Sequence, residues 1–478
     1  MKFHITSDGE VKECRAKSKP CPLQNFDSKE QAEDVLLRTY GSPFDKKPVS
    51  DLSEARALYG DHVSEHSIDL PKSVENVLND LKSIGSPLLV GGAVRDSFEG
   101  HNNKDYDIEV HNTDIDSLAR FLKKSGYVVD EVGKQFGILK ASKGSISDLD
   151  ISVPRTENRS GAGHRDFSVH MDKNMTVEEA SLRRDFTFNS VMYDHSLGVI
   201  IDPNNGHRDF DNRVMRHVSD KFSEDPLRVL RGMQFASRFG MSYAPETAEL
   251  AKNLRSEFDS ISVERVRGEF EKFFSKGRDF RAGIRALQDS GWDDISPGLR
   301  ESLQREETLK GLDRIREVAV VDKSNVSIMV SSVIAKNMSK EDRDAFFNLS
   351  LVSQDERVRA SAILDTDALS LDTPYARKKA ALRLSKTGAS LRDVRNFAVV
   401  TGDSRGTTLA NWAIREKIAD GPEPDLIQGR DVLDITDRKP GPWIGKLLSE
   451  LREEQYQGRF NNKDEAIQQL HKKISEIS

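Results

Sequence analysis

Two carboxylates one residue apart, Asp105 and Asp107, follow a glycine pair and an Arg-Asp step in Leu89-Val90-Gly91-Gly92-Ala93-Val94-Arg95-Asp96. These residue types at this spacing suit metal-assisted phosphoryl transfer. Residues i and i+2 of a strand point the same way, so a strand through 106–110 presents both carboxylates on one face. At roughly 6 Å and an effective dielectric of about 20, such charges repel by about 3 kcal/mol. A bound Mg²⁺ turns that repulsion into a clamp on phosphate oxygens. A solvated Asp-x-Asp loop satisfies the same spacing with no ligand. Asp150, in the alternating stretch 148–153, is either a third metal ligand or an exposed strand aspartate.

Other elements must position these groups. The apolar run 87–90 is short enough for a buried strand, and Gly91 and Gly92 end it where the backbone must approach something bulky and charged, such as a triphosphate. Arg95 and Arg184 carry planar, permanently charged guanidinium groups suited to phosphate oxygens. Asp185 and Asn189 are candidates for the ribose hydroxyls, although the run Arg183-Arg184-Asp185 also suits a surface ion-pair cluster. Further on, Asp225-Pro226 reads as a helix start, Asp as N-cap and Pro at the first helical position. At 100° per residue, Asp225, Arg228 and Arg231 occupy about a third of the circumference with Gly232 beside them, which predicts a polar, spacious face opposite Val229, Met233 and Ala236. A carboxylate only accepts and a guanidinium only donates. Asp225 with Arg228 therefore matches the amino donor and ring acceptor shared by cytosine and adenine, and mismatches uracil and guanine. The alternative is an N-cap with an i+3 ion pair, worth about 0.3–0.5 kcal/mol.

Taken in order, residues 91–96, Lys104-Asp105-Tyr106-Asp107, Arg183-Arg184-Asp185-Phe186-Thr187-Phe188-Asn189 and the segment 224–236 closely resemble the class II tRNA nucleotidyltransferases, or CCA-adding enzymes, and the related bacterial poly(A) polymerases. The resemblance covers residues 74–297, supported by Ile201-Asp202-Pro203, Arg216-His217-Val218-Ser219 and Ser262-Val263-Glu264-Arg265. Beyond 300 it thins to Gly429-Arg430-Asp431 and Lys439-Pro440-Gly441-Pro442. It implies an α+β fold: a polymerase-beta-like nucleotidyltransferase head with a mixed sheet, then an all-helical neck, body and tail. It further implies template-independent addition of CMP and AMP, from CTP and ATP, to the 3′ end of tRNA. Mg²⁺ would sit on Asp105 and Asp107, with Gly91, Gly92, Arg95, Arg184, Asp185, Asn189, Asp225, Arg228 and Arg231 around the nucleotide. A poly(A) polymerase or A-adding enzyme shares all these residues. Two alternatives come from other classes: a nucleotidyltransferase toxin modifying tRNA or a protein, and a catalytically silent, nucleotide-gated RNA-binding protein. Intact Asp105 and Asp107 stand against the latter.

At 478 residues, 32% charged and 36% hydrophobic, the chain should hold about three modules behind an extension. The expected boundaries are an extension over 1–70, head over 71–212, neck over 213–297, body over 298–400 and tail over 401–478. No run approaches 18 apolar residues and the N-terminus lacks a signal peptide's apolar core, which points to the cytoplasm and no membrane partner. Cys14 and Cys21 read as free thiols. The absence of histidine between His217 and His471 removes the His/Asp metal chemistry of the phosphohydrolase domain appended to some bacterial relatives. Segment 155–170 reads as a loop.

A net charge of −7 requires that any RNA-binding charge be concentrated locally. Segment 371–395 carries seven basic residues against two acidic ones. Within it Arg377, Lys378, Lys379, Arg383 and Lys386 are RNA-binding candidates, or else the solvated face of a helix. Trp412 and Trp443 read as core residues, and the stretch from Trp443 onward as two amphipathic helices separated by Gly458.

Overall fold

In the computed structural model, which describes residues 3–5, 11–13, 52–100, 105–144, 146–159, 167–322, 326–368, 371–403 and 412–477, the apolar run before the glycines is a strand. Two short strands, β1 (Phe3–Ile5) and β2 (Val11–Glu13), pair with each other. The head strands follow as β3 (Val63–Glu65), β4 (Ser86–Val90), β5 (Asp107–His111), β6 (Val128–Asp130), β7 (Ile138–Lys143) and β8 (Ile146–Ser152). After β9 (Arg155–Arg159) and β10 (Phe167–Met171), β11 (Met192–Asp194) and β12 (Val199–Ile201) complete the set. Eight of them form one mixed sheet in the order β3-β12-β11-β4-β5-β8-β7-β6, in which β5 and β8 run parallel and the other pairs antiparallel. Segment 155–170, expected as a loop, contains the antiparallel ribbon of β9 and β10, and 160–166 lies outside the described residues.

The period of two along each strand separates two cores. Leu89, Ile108, Val110 and Ile151 pack in one core with Val74, Val77, Leu78 and Leu81 of helix Lys72–Leu81, whose i, i+3, i+4, i+7 spacing makes one apolar stripe. Leu88, Val90, Met192, Val199 and Ile201 face the other way, toward helices Leu52–Tyr59 and Val177–Ser181. With Ile108 and Val110 in the first core, Asp107, Glu109 and His111 must project toward the second, where the chain leaves Val177–Ser181 for segment 183–189.

The expected boundary at residue 70 falls inside the packed head. Ala55 and Val63 are buried with Leu88 and Val90, and β3 closes a sheet edge against β12. A helix of eight residues that buries only Ala55 leaves little apolar pattern to read. At the other end, one continuous core joins Phe186 and Phe188 to Ala413, Ile418 and Ala419, so neck and body share an interior and the body runs past 400. The tail has its own small core of Ile427, Val432, Leu447, Leu451, Phe460 and Leu470. It contains the two expected helices, Pro442–Tyr456 and Lys463–Ile477, with Gly458 between them at a φ of 77°. Among the described residues no helix is long and apolar enough to cross a membrane.

Candidate active site

Strand register assembles the carboxylates. Val90 pairs with Asp107 across β4 and β5, and Asp107 pairs with Asp150 across β5 and β8. Gly91, one step past Val90, adopts φ 69°, a left-handed conformation that side chains resist, and a Cβ there would lie 3.2 Å from Asp107 Oδ2. Asp105 lies just before β5 and is exposed, as is Asp107 at the strand's first position. Although the residue as a whole is exposed, loss of water around its carboxyl raises Asp107 above the ordinary carboxylate range; Arg184 opposes the rise, and Asp150 and Asp105 add to it.

Asp150 Oδ1 is buried without a hydrogen-bond partner and faces Lys140 Nζ at 3.4 Å. An orphaned carboxylate oxygen beside two further carboxylates is a donor set that fits a hard divalent cation. No cluster of three ligands stands preassembled among the described residues. Mg²⁺ does not require one, because it is commonly held by one or two carboxylates together with substrate phosphates.

Beside this group lies a residue the motif reading passed over. Glu109 is fully buried, and its carboxylate meets Arg183 at 2.5 Å, His111 at 3.2 Å and Arg184 at 3.4 Å. Burial opposes its ionisation, but Arg183, His111 and Arg184 hold the carboxyl far below the usual range. The signal was present in the stripe Asp105, Asp107, Glu109, His111, polar at every second position of an otherwise apolar strand. Burial and Arg183 push Arg184 down to about 10, with Glu109 and Asp107 working against the shift, so it remains a cation at neutral pH beside Asp107.

Arg95, expected on the triphosphate, is held in a buried network of protein partners. It is 5% exposed, its Nε and Nη2 donate to Asp96 Oδ1 at 2.9 and 2.7 Å, and its Nη1 donates to Asn189 Oδ1 at 2.7 Å. The Phe235 and Phe239 rings lie 5.2 and 5.0 Å from the guanidinium carbon. Asp185 and Asn189, expected on the ribose, belong to the same brace. Asp185 Oδ1 accepts from the Phe186 amide and from Asn189 Nδ2, and Oδ2 accepts from Arg231 Nε at 2.7 Å. Despite the opposing effect of burial, Arg231 and Asn189 pull the Asp185 carboxyl down to about 2. Buried polar groups at a head–neck junction must satisfy one another, and these do.

Helix Leu227–Phe239 starts one residue later than expected, with Pro226 at the cap position, while Asp225 Oδ1 accepts from the Leu227 amide at 3.2 Å. The other oxygen takes Arg265 Nη2 at 2.7 Å, while Arg228 donates to the Lys221 and Arg183 carbonyls at 2.6 and 2.8 Å. The i+3 pair of Asp225 with Arg228 is thus replaced by a partner 40 residues away. Nor is the face beside Gly232 spacious, because a Cβ there would collide with the Tyr243 hydroxyl, which donates to the Val229 carbonyl. Val229, Met233 and Ala236 are buried, as their sector demands.

The basic candidates on helix Pro374–Ser385 and its end divide. Arg377 lies over the Trp412 ring at 3.8 Å within the body, while Lys378 pairs with Glu423 at 2.7 Å and Lys379 with Glu453 at 3.3 Å, so these two tie body to tail. Arg383 and Lys386 are exposed on a cleft of about 480 Å³ between this helix and Pro442–Tyr456, walled by Tyr375 and Tyr456. Neither tryptophan expected in the core is fully buried; Trp443 sits under Arg438 at 5.1 Å, and the fully buried one is Trp292. Cys14 and Cys21 lie outside the described residues.

A mixed sheet thus carries a bare glycine turn against facing carboxylates. Residues 88–216 match the poly A polymerase head domain and residues 422–470 match tRNA nucleotidyltransferase domain 2, which bears out the resemblance drawn from the motifs. A multifunctional CCA protein of Xanthomonas campestris pv. campestris (strain B100) is 37% identical over 254 residues, 52% of this chain and 58% of that protein. Its counterpart in Aliivibrio salmonicida (strain LFI1238) is 40% identical over 192 residues, 39% of this chain and 45% of that protein. The chain therefore spans about half the length of the curated relatives it matches. Among solved structures, the Bacillus stearothermophilus CCA-adding enzyme in complex with CTP superposes with a TM-score of 0.63 at 23% identity, covering 85% of this chain and 98% of the other. The Thermotoga maritima CCA-adding enzyme complexed with tRNA gives 0.56 at 17% identity, covering 86% and 99%. The fold is the expected α+β head followed by helices, shared with these enzymes.

Proposed function

We propose that this chain is a metal-dependent tRNA nucleotidyltransferase of the cytoplasm, adding CMP and AMP from CTP and ATP to the tRNA 3′ end. The observation that carries this reading is Asp107, paired with Asp150 across the sheet and lying against the bare Gly91. The substrates are supported by the names of its relatives, and by CTP and tRNA in the structures of its neighbours. Asp105 and Asp107, with Asp150, would hold Mg²⁺, which supplies charge neutralisation on the phosphates and a lower proton affinity at the attacking hydroxyl. Arg184, charged and beside Asp107, grips the triphosphate. The tRNA 3′ oxygen gives up its proton to water as it bonds to the α-phosphorus, the bond from that phosphorus to its bridging oxygen breaks, and pyrophosphate leaves. Asp225 as acceptor and Arg228 as donor select the base, with Arg265 setting the position of the Asp225 carboxylate.

The poly A polymerase description of the head match favours one second reading, a polymerase of adenylate alone. A single experiment separates the two. The full chain is incubated with Mg²⁺ and tRNA ending before, within or after CCA, each nucleotide is supplied separately, and product lengths are read. CCA addition requires that CTP extend ends lacking CCA, that ATP complete ends stopping at CC, and that complete tRNA be left alone. Long tails from ATP alone establish the polymerase, and no product on any end sinks both readings.

Base choice by the protein gives a further expectation. In Asp225→Ala the acceptor that rejects O4 of uracil is gone, so UMP incorporation relative to CMP should rise at least about tenfold, equivalent to about 1.4 kcal/mol. Asn and Ser at 225 can both cap the helix. Unchanged selectivity in both variants would reduce Asp225 to a cap.

A further inference from the structure

Glu109 has no part in the chemistry described so far, yet it places a full charge inside the head. A buried carboxylate is costly to desolvate, and packing alone is served by apolar neighbours such as Ile108 and Val110. Its contacts show what the charge does. One oxygen, Oε2, accepts from Nη2 of both Arg183 and Arg184, so a single acceptor holds two adjacent cations that otherwise repel. Among the described residues this is the only side-chain hydrogen bond of Arg184, which leaves its other N–H groups unspent on a partly exposed side chain near Asp107. Arg183 is fixed at both ends: its side chain by Glu109, its carbonyl by Arg228 Nη2.

We propose that Glu109 is a positioning residue for nucleoside triphosphate binding, clamping Arg183 and Arg184 against β5 so that Arg184 presents its free donors beside Asp107. The inference rests on the proposed function for the identity of the ligand that Arg184 meets. A long, rotamer-rich side chain held in its binding geometry loses less freedom when the ligand arrives, so the clamp acts through affinity. Glu109 itself touches no phosphate.

The test is a double-mutant cycle on the full chain, with CTP and Mg²⁺ as the probe and the dissociation constant as the readout. Glu109→Gln keeps the shape and removes the charge, and should weaken CTP binding by about tenfold when Arg184 is present. In the Arg184→Gln background the same change should cost less than about twofold. Losses that simply multiply would overturn the proposal, as would a Glu109→Gln protein with a lower melting temperature and unchanged affinity, the signature of a merely structural role. Should Glu109→Gln not fold, Glu109→Asp decides in its place: the retracted carboxylate should weaken CTP binding by about threefold, and only with Arg184 intact. Wild-type protein that fails to bind CTP also overturns the inference. Addition to tRNA is followed in the same preparations. Coupling between Glu109 and Arg184 without any addition would sink the proposed function and leave this inference standing.

Discussion

Replacing Asp107 with alanine is expected to lower CMP and AMP addition by more than about a hundredfold, because losing the metal contact forfeits several kcal/mol of transition-state stabilisation. The fold should survive. Asp107 lies at the first position of β5, where desolvation of its carboxyl and the charges of Asp150 and Asp105, against the opposing Arg184, raise its carboxyl and so disfavour its ionised form in the metal-free protein. Removing it relieves that repulsion, so without metal the variant should melt at or above the wild-type temperature. Mg²⁺ should raise the melting temperature of the wild type by mass action and leave that of Asp107→Ala unchanged. Activity within about tenfold of wild type would remove Asp107 from the site, since that leaves less than about 1.4 kcal/mol for its metal contact.

Arg95→Ala should have the largest effect on stability, a loss of about 3–5 kcal/mol, the usual result of deleting one partner from a buried ionic network. The guanidinium joins Asp96 to Asn189 and lies against Phe235 and Phe239, so the change removes this cation from Asp96, which Arg238 also contacts, and opens a void between two aromatic rings. Asn189 would lose the donor to its side-chain oxygen while still tied to Asp185, weakening the brace that joins the head to helix Leu227–Phe239. Urea unfolding of the head–neck transition measures the loss, and KM for CTP at low temperature measures the alternative. A residue that gripped the triphosphate would raise KM and leave the unfolding midpoint alone. The buried network predicts the reverse: a shifted midpoint with KM near wild type in the folded fraction.

Much of the site was legible as local pattern. The glycine pair after a four-residue apolar run marks a strand end, and the two-residue period along β5 places Asp107 on a known face before any tertiary contact is considered. The Asp225-Pro226 start and the burial of Val229, Met233 and Ala236 are equally local, because a cap and a 3.6-residue period depend on neighbours within a turn or two. The α+β class was implied by the resemblance that these motifs carry. Tertiary structure decided which charged side chains are exposed to a ligand. Arg95 and Arg184 are chemically identical in the sequence, but the first finds Asn189, 94 residues away, and two phenylalanines, while the second stays beside Asp107. Asp225 pairs with Arg265 rather than with Arg228, three residues on, and Gly232 faces a tyrosine hydroxyl rather than open space. Glu109 draws its importance from Arg183 and Arg184, over 70 residues distant, and the head takes in residues 52–70 because β3 completes its edge. Periodicity fixes the face on which a residue lies; the partner waiting there is set by segments remote in sequence, whose approach is determined by the packing of the whole core.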